Sequence, residues 1–131
     1  MTGRSRDDLR VEIEELFADM WQVPRFTGVR QGFRPHCDCF RTDNPPALHV
    51  VVALPGVDPE SVRVAAVGRT LVVAGRRDRP PIPGARFRQM EIEYGDFERR
   101  IELGEHVDAA RTEATYERGM LRIVLPLEES A

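Results

Sequence analysis

The sequence predicts an antiparallel β-sandwich preceded by a short amphipathic helix. Its 131 residues suit one domain, which at this size buries roughly two-thirds of its unfolded surface. From residue 35 onward, Val, Ile, Leu and Phe occur in short runs, and Pro, Gly and Asp separate these runs. Because no helical pattern interrupts this series, it favours two packed antiparallel sheets.

Residues 1–34 are predicted to form an N-terminal arm, made of a helix over about 6–22 and an apolar linker over 23–34. Acidic residues occupy the first turns of this helix, where the helix dipole favours them. Pro24 ends the pattern, because proline lacks a backbone donor. Five apolar side chains recur at the spacing of one helix face: Leu9, Ile13, Leu16, Phe17 and Met20.

The remainder is predicted to form a domain over 35–127 and a short tail over 128–131. Eight strands are predicted, at 36–41, 47–54, 61–67, 70–76, 86–93, 97–103, 111–117 and 120–125. Turn residues separate them, and Arg118-Gly119 is short enough for a tight hairpin. Three apolar side chains share one face of the last strand: Leu121, Ile123 and Leu125.

The strand at 97–103 combines an apolar face with a charge. Phe97, Ile101 and Leu103 share this face, and Arg99 lies among them. An arginine in an apolar environment is costly unless it is paired. We therefore expect Arg99 to make a structural ion pair.

Composition excludes several classes of function. All 19 basic residues are arginine, so the chain holds neither a Walker-A lysine nor a pyridoxal Schiff base. A net charge of −3 gives no overall attraction to nucleic acid or to anionic lipid. The longest apolar run, 50–54, is far shorter than a membrane helix of about 20 residues. With no secretory signal visible, we expect a cytoplasmic protein that binds neither nucleic acid nor membrane.

Five stretches of the domain resemble the α-crystallin domain of small heat-shock proteins, in that family's order and spacing. They are PHCDCF (35–40), ALPGVDPESVRV (53–64), LVVAGRR (71–77), YGDFERRIEL (94–103) and ATYERGML (114–121). The resemblance implies an immunoglobulin-like sandwich. It also implies an ATP-independent holdase, a chaperone that binds unfolding proteins and suppresses their aggregation without an active site or a cofactor.

The same resemblance implies a homodimer that exchanges a loop strand, with further assembly left open. The loop would be 77–95, and its strand would pair with 36–41 of the other chain. Oppositely charged neighbouring segments can set the register of such a dimer: 76–88 has five arginines and one acid, and 91–108 has seven acids and two arginines. The expected interface residues are Phe87, Arg88, Gln89, Met90, Glu91, Ile92, Arg99, Cys37 and Cys39.

Client proteins are expected to bind apolar surface on the arm and in a groove between strands 61–67 and 111–117. The family's C-terminal docking motif, Ile/Val-x-Ile/Val, has no usable match here, because Leu125-x-Leu127 directly adjoins the last strand. The groove is therefore expected to be open. The candidate client-binding residues are Leu9, Ile13, Leu16, Phe17, Met20, Trp21, Phe26, Phe33, Val62, Val64, Ala114 and Tyr116.

Two alternatives remain on sequence grounds. The first is a dedicated adaptor that uses the same sandwich for one partner. The second is a zinc or thiol protein that uses His36, Cys37 and Cys39. Zinc prefers four ligands, and His36 points away from both cysteines on a strand, so buried core thiols and no bound metal are expected. No serine lies in a nucleophile elbow, and an enzyme is not expected.

Overall fold

The computed structural model describes residues 33–128 and two short segments before them, 9–11 and 13–14. Nine strands form two sheets, and two single-turn 3-10 helices, Pro59–Ser61 and Ala109–Arg111, precede β5 and β8. The strands are β1 Leu9–Val11, β2 Ile13–Glu14, β3 Cys37–Asp43, β4 Pro46–Ala53, β5 Arg63–Val67, β6 Thr70–Arg77, β7 Gly95–Glu102, β8 Glu113–Glu117 and β9 Met120–Pro126.

The two sheets make the β-sandwich that the sequence predicts. The first has the order β1-β8-β9-β4-β3, and the second has the order β2-β5-β6-β7. Every pairing is antiparallel except that between β2 and β5. One side of the sandwich therefore ends in β1 and β2, which lie next to β8 and β5, and the opposite side ends in β3 and β7.

Apolar side chains from both sheets fill the space between them. The predicted alternation in β9 is confirmed, because Leu121, Ile123 and Leu125 are buried. Phe97 and Ile101 of β7 are buried on the facing sheet. Each fully buried side chain of this size contributes roughly 1.5–3 kcal/mol to folding. The core is therefore sufficient to hold the two sheets together.

The predicted hairpin at Arg118-Gly119 is also confirmed. Both residues have positive φ, 54° and 77°, as a two-residue turn of type I′ requires. Glycine suits the second position, because its φ is positive and a Cβ there would lie a tight 3.1 Å from the Cα of Pro55. The turn fixes the register of β8 against β9, with Tyr116 opposite Leu121.

Two predicted strands begin later than expected, at Arg63 and Glu113. The side chains of Asp58 and Asp108 accept hydrogen bonds from the backbone N–H groups of Glu60 and Ala110. Short polar side chains stabilise turns in this way. Each strand is therefore preceded by a 3-10 turn.

The strand predicted over 86–93 does not form in the single chain. Residues 78–94, which we call the exchange loop, lack strand structure. A strand needs hydrogen bonds to a neighbouring strand. Among the described residues of this chain, none pairs with 86–93.

The helix predicted over 6–22 is wrong at the positions that the structure describes. Residues 9–11 and 13–14 are extended and pair with β8 and β5. Backbone pairing with two sheet edges competes with helix formation, and tertiary contacts override local propensity. The rest of the predicted helix and the linker up to residue 32 lie outside the described residues.

Candidate protein-binding surfaces

The groove between β5 and β8 was expected to be open, and the backbone of this chain occupies it. We call residues 9–11 and 13–14 the N-terminal segment. Leu9 lies opposite Tyr116 and Val11 opposite Ala114 in an antiparallel pairing. Ile13 then lies opposite Val64 in a parallel pairing. The two parts of the segment therefore pair with the edge of β8 in one sheet and the edge of β5 in the other.

The four predicted groove residues lie in the core. Val62, Val64, Ala114 and Tyr116 are at most 4% exposed. The Tyr116 hydroxyl donates a hydrogen bond to the buried carbonyl oxygen of Leu54. The β5 and β8 edges thus present mainly backbone N–H and C=O groups, which suits the addition of an extended strand.

The exchange loop carries most of the large exposed apolar side chains among residues 33–128. Ile82, Phe87, Met90 and Ile92 are each at least half exposed, with Ile92 at 61%. Between Phe87 and Ile92, the side chains other than Met90 are polar, and Gln89 Nε2 donates to Glu91 Oε2 at 2.9 Å. Apolar side chains exposed in close succession are typical of a surface that binds another protein.

Arg77 connects three segments at one end of the exchange loop. Its guanidinium lies over the Phe33 ring, 3.6 Å from the ring centroid. Its Nε and Nη2 atoms donate to the carbonyl oxygen of Glu93, and Nη1 donates to that of Pro55 at 2.9 Å. We call this arrangement the Arg77 clamp. The clamp joins Phe33, at the start of the described domain, to Glu93, near the end of the exchange loop.

Arg79 extends the same stack of cations and aromatic rings. Its guanidinium lies 4.4 Å from the Tyr94 ring centroid and 5.6 Å from that of Phe87. Sequence reasoning missed this role of Arg77 and Arg79. The arginine-rich run and the nearby aromatic residues were visible, but their contacts depend on the loop folding back.

Arg99 makes a different bond from the one predicted. It is half-buried on β7, and its Nη1 donates to the carbonyl oxygen of Pro35 at 2.6 Å. A backbone carbonyl therefore takes the place of the expected carboxylate. This bond and the edge-to-face contact between Phe33 and Phe97, at 5.5 Å, fix residues 33–35 beside β7.

β3 is the outermost strand of its sheet. Cys37 is half-buried and packs against the core, whereas Cys39 is exposed. The prediction of a buried thiol is therefore wrong for Cys39, because no strand of the described chain covers this edge. Partial burial, and secondarily the Cys37 thiol, raise the pKa of Cys39. Within residues 33–128, no three His, Cys, Asp or Glu side chains are grouped to hold a metal ion.

Two surface arginines fix the loops that flank these edges. Arg41 of β3 donates two hydrogen bonds to the Glu105 carboxylate, at 2.6 and 2.8 Å. Arg76 of β6 contacts the carboxylates of Asp58 and Asp78, both at 3.0 Å. These hydrogen bonds raise the pKa of both guanidinium groups. Since the groups are exposed, they position loops more than they stabilise the fold.

The outer face of the β3 sheet carries an aromatic pair that sequence reasoning did not single out. The Phe40 ring stacks on the His49 ring, with centroids 4.8 Å apart. Thr42 Oγ1 lies 2.9 Å from Nε2 of the same histidine. Exposed Val124 lies opposite His49 on the next strand. The pair stiffens β3, the strand at the open edge.

Comparison with known proteins gives a consistent result. A model of the Hsp20/alpha crystallin family matches residues 41–131. Small heat shock protein C2 of Rickettsia felis is 23% identical over 125 residues, which cover 95% of this chain and 80% of that protein. Two other curated relatives are matched over only 60% and 56% of their own length.

Solved structures share the same fold. Heat shock protein 16.0 from Schizosaccharomyces pombe has a TM-score of 0.68 and 28% identity, over 76% of this chain and 91% of that one. The hspA structure from Xanthomonas axonopodis has a TM-score of 0.66 and 28% identity, over 76% and 98%. Among the described residues, no helix has the length and apolar character needed to cross a membrane.

Proposed function

Because the chain belongs to the Hsp20/alpha crystallin family, we propose that it is an ATP-independent holdase that suppresses the aggregation of unfolding proteins. The family consists of small heat-shock chaperones rather than enzymes, and no catalytic step is part of the proposal. The supporting observation is that the β5 and β8 edges accept an extended segment through backbone pairing. Backbone pairing reads little sequence, so it suits diverse unfolded chains.

Two surfaces contribute to client binding in this proposal. The first is the β5–β8 groove, and the second is the arm, whose residues beyond the N-terminal segment are Leu16, Phe17, Met20, Trp21, Phe26 and Phe33. Burial of apolar area is non-directional, so the arm imposes no particular client sequence. Phe33 is buried beneath Arg77 in the closed domain, so it binds clients only if the Arg77 clamp opens.

In this proposal, the protein is a homodimer formed through β3 and the exchange loop. The outer edge of β3 has no partner among the described strands, and an unpaired edge favours pairing with another chain. Phe87 to Ile92 of one chain would pair with 36–41 of the other. Cys37, Cys39 and Arg99 lie beside that edge. Dimer formation in the cytoplasm, and any larger assembly, belong to this proposal.

The function is tested by light scattering of heated client proteins in the absence of ATP. Three unrelated clients are heated with an equal mass of this protein or of an inert, heat-stable protein. The proposal predicts suppressed scattering for all three clients. Suppression of none would contradict it and favour a dedicated adaptor with a single partner.

The contribution of the arm is tested separately with Phe17→Ser/Trp21→Ser. We expect this variant to lose at least half of the suppression, because about 3–6 kcal/mol of apolar transfer energy is removed. Val124→Ser, which removes an exposed apolar side chain from the sandwich, is the matched control. Full activity of the double variant would exclude the arm as the main client site.

A further inference from the structure

The free edge of β3 presents the backbone groups of alternate residues. The N–H group of Ala53 on β4 donates to the carbonyl oxygen of His36 at 3.0 Å, so the backbone of His36 is directed toward β4. Successive residues of an antiparallel strand direct their N–H and C=O groups to opposite sides. The free edge is therefore left with the backbone groups of Cys37, Cys39 and Arg41, to which an added strand would bond.

The side chains along this edge form two rows on opposite faces of the sheet. Cys37 packs against the core, whereas Phe40 stacks on His49 of β4 on the outer face. The residues that share the inward face with Cys37 are Cys39 and Arg41. The residues that share the outward face with Phe40 are His36 and Asp38.

Residues 87–92 of the exchange loop have the same two-row pattern. Gln89 Nε2 donates to Glu91 Oε2, so these two side chains, two residues apart, lie on one side, and in an extended strand Phe87 would share that side. The other side would carry Met90 and Ile92, which are both more than half exposed in the single chain. Burial of these two apolar side chains is favourable, so we place their side inward, next to the core.

One register brings complementary side chains together on both faces. If the added strand runs antiparallel to β3, placing Met90 opposite Cys37 covers the half-buried thiol with an apolar side chain. Two outward pairs then lie opposite each other, Phe87 with Phe40 and Gln89 with Asp38. The first pair is aromatic and stabilises neighbouring strands, and the second joins an amide donor to a carboxylate.

Other registers that keep the same faces inward are less favourable. A shift by two residues in one direction places Glu91 opposite Asp38 and Arg88 opposite Arg41, and like charges directly opposite each other are destabilising. A shift by two residues in the other direction places Arg88 against the half-buried Cys37, where burial of a charge is costly. Larger shifts leave Cys37 without a partner from 87–92.

One like-charge pair remains in the favoured register, because Arg86 lies opposite Arg41. The Glu105 carboxylate already accepts two hydrogen bonds from Arg41, at 2.6 and 2.8 Å, and Asp43 accepts a third at 2.9 Å. The charge of Arg41 is thus balanced within its own chain, and exposed charges interact only weakly.

We infer that the outward row of β3 is a specificity surface for a second copy of this chain, and that it sets one antiparallel register, with Phe40 opposite Phe87 and Asp38 opposite Gln89. This inference rests on the dimer of the proposed function and names the residues that select its partner. Phe87, Phe40 and His49 form a row of three rings across two chains. A related chain without these side chains in this order pairs less tightly.

The register is tested with Asp38→Cys/Gln89→Cys in a Cys37→Ser/Cys39→Ser background. The backbone of Asp38 is directed away from the free edge, so this pair is of the non-hydrogen-bonded kind, whose Cα atoms lie about 4.5 Å apart, within reach of a disulfide. The matched controls are Asp38→Cys/Phe87→Cys and Asp38→Cys/Glu91→Cys. They place the second thiol diagonally, about 7–8 Å away, and each would be the favoured pair in one of the shifted registers.

Under mild oxidation, at concentrations where sedimentation shows a dimer, Asp38→Cys/Gln89→Cys should form a disulfide between two chains at least ten-fold faster than either control. A non-reducing gel measures the rates. Faster crosslinking of a control, a crosslink within one chain, or no crosslink in any of the three would overturn the inference. A protein that stays monomeric at every concentration would overturn the inference and its dimer, whereas the heated-client assay measures the holdase activity independently.

A double-mutant cycle tests the ring contact without a crosslink. Phe40→Ala and Phe87→Ala should each raise the dimer Kd, and the double variant should raise it at least three-fold less than the product of the two single effects, because the two side chains touch. Phe40→Ala with Ile92→Ala is the control cycle, since these side chains lie on opposite faces, and its effects should multiply. Simple multiplication in the first cycle would contradict the pairing of Phe40 with Phe87.

Discussion

The two sides of the sandwich differ in what covers their strand edges. On one side, β5 and β8 are covered by the N-terminal segment of the same chain. On the other side, residues 33–35 contact β7 through Arg99 and Phe97, while the outer edge of β3 has no strand beside it in the described chain. Exposed edges pair readily with other chains. In the proposed function, the closed side, at β5 and β8, binds clients, and the open side, at β3, binds a second copy of the chain.

The largest expected effect is on the dimer Kd, and it comes from changes in the exchange loop. Phe87→Ser/Ile92→Ser removes two apolar side chains that are at least half exposed in the single chain. If a second copy buries them, the loss is about 3 kcal/mol, or roughly a hundred-fold in the dimer Kd. Sedimentation across a dilution series measures this change.

Ile82→Ser provides the control for that experiment. Ile82 is equally exposed in the exchange loop, but it lies outside the segment proposed to pair. Its replacement should leave the dimer unchanged. Equal weakening by both variants would indicate general apolar contact instead of strand exchange.

The next largest effect is expected on the free energy of unfolding, from a change in β8. Tyr116→Phe removes the hydrogen bond from the Tyr116 hydroxyl to the buried carbonyl oxygen of Leu54, which then keeps only its bond from the Val57 N–H group. This change should lower the free energy of unfolding by about 1 kcal/mol. Denaturant unfolding measures the loss. The dimer Kd should not change, because Tyr116 lies on the opposite side from β3. A coupled change in both quantities would show that the two sides are not independent.

Arg77→Lys should affect stability no more than Tyr116→Phe does. Lysine keeps the charge but loses the planar guanidinium that stacks on Phe33 and donates twice to Glu93. We expect a loss of about 1 kcal/mol and faster amide exchange in the exchange loop. Arg41→Lys, on the same side but away from the loop, is the control and should leave loop exchange unchanged.

The smallest effect is expected in the alkylation rate of Cys39 on β3. In a Cys37→Ser variant, only Cys39 can be alkylated. Partial burial, which remains in this variant, raises the pKa of Cys39, so less thiolate is present at pH 8 than in the unfolded chain and alkylation should be slower than in denaturant. The rate should rise as the pH approaches and passes the pKa.

The dependence of the Cys39 alkylation rate on protein concentration tests whether β3 is the dimer edge. If β3 is the dimer edge, Cys39 becomes more covered as dimer forms, and alkylation should slow with increasing concentration. A rate that is independent of concentration, measured across the dimer Kd, would contradict association through β3.

Most of the sandwich could be predicted because its signals are local. The alternation of Leu121, Ile123 and Leu125 and the Arg118-Gly119 turn each specify β9 or its hairpin within a few residues. The starts of β5 and β8 could not be placed as well. There, Asp58 and Asp108 cap 3-10 turns that resemble the beginnings of strands in sequence.

The N-terminal segment shows why a local pattern can mislead. Leu9, Ile13, Leu16 and Phe17 follow a helical period, but Leu9, Val11 and Ile13 also alternate with charged residues, as a strand does. The available β5 and β8 edges decide between these patterns, and that information is not local. For the same reason, the contacts of Arg77 and Arg79 could not be predicted, because they form only when the exchange loop folds back on the domain.

The central claim, that one side binds clients and the other binds a second copy, is tested most directly by amide hydrogen exchange measured by mass spectrometry. The chain is compared when dilute, when concentrated, and with a heat-destabilised client. We predict that concentration protects 37–43 and 86–92, whereas client releases 9–14 and leaves 63–67 and 113–117 protected. Client protection confined to 37–43 and 86–92, with 9–14 unchanged, would contradict the claim.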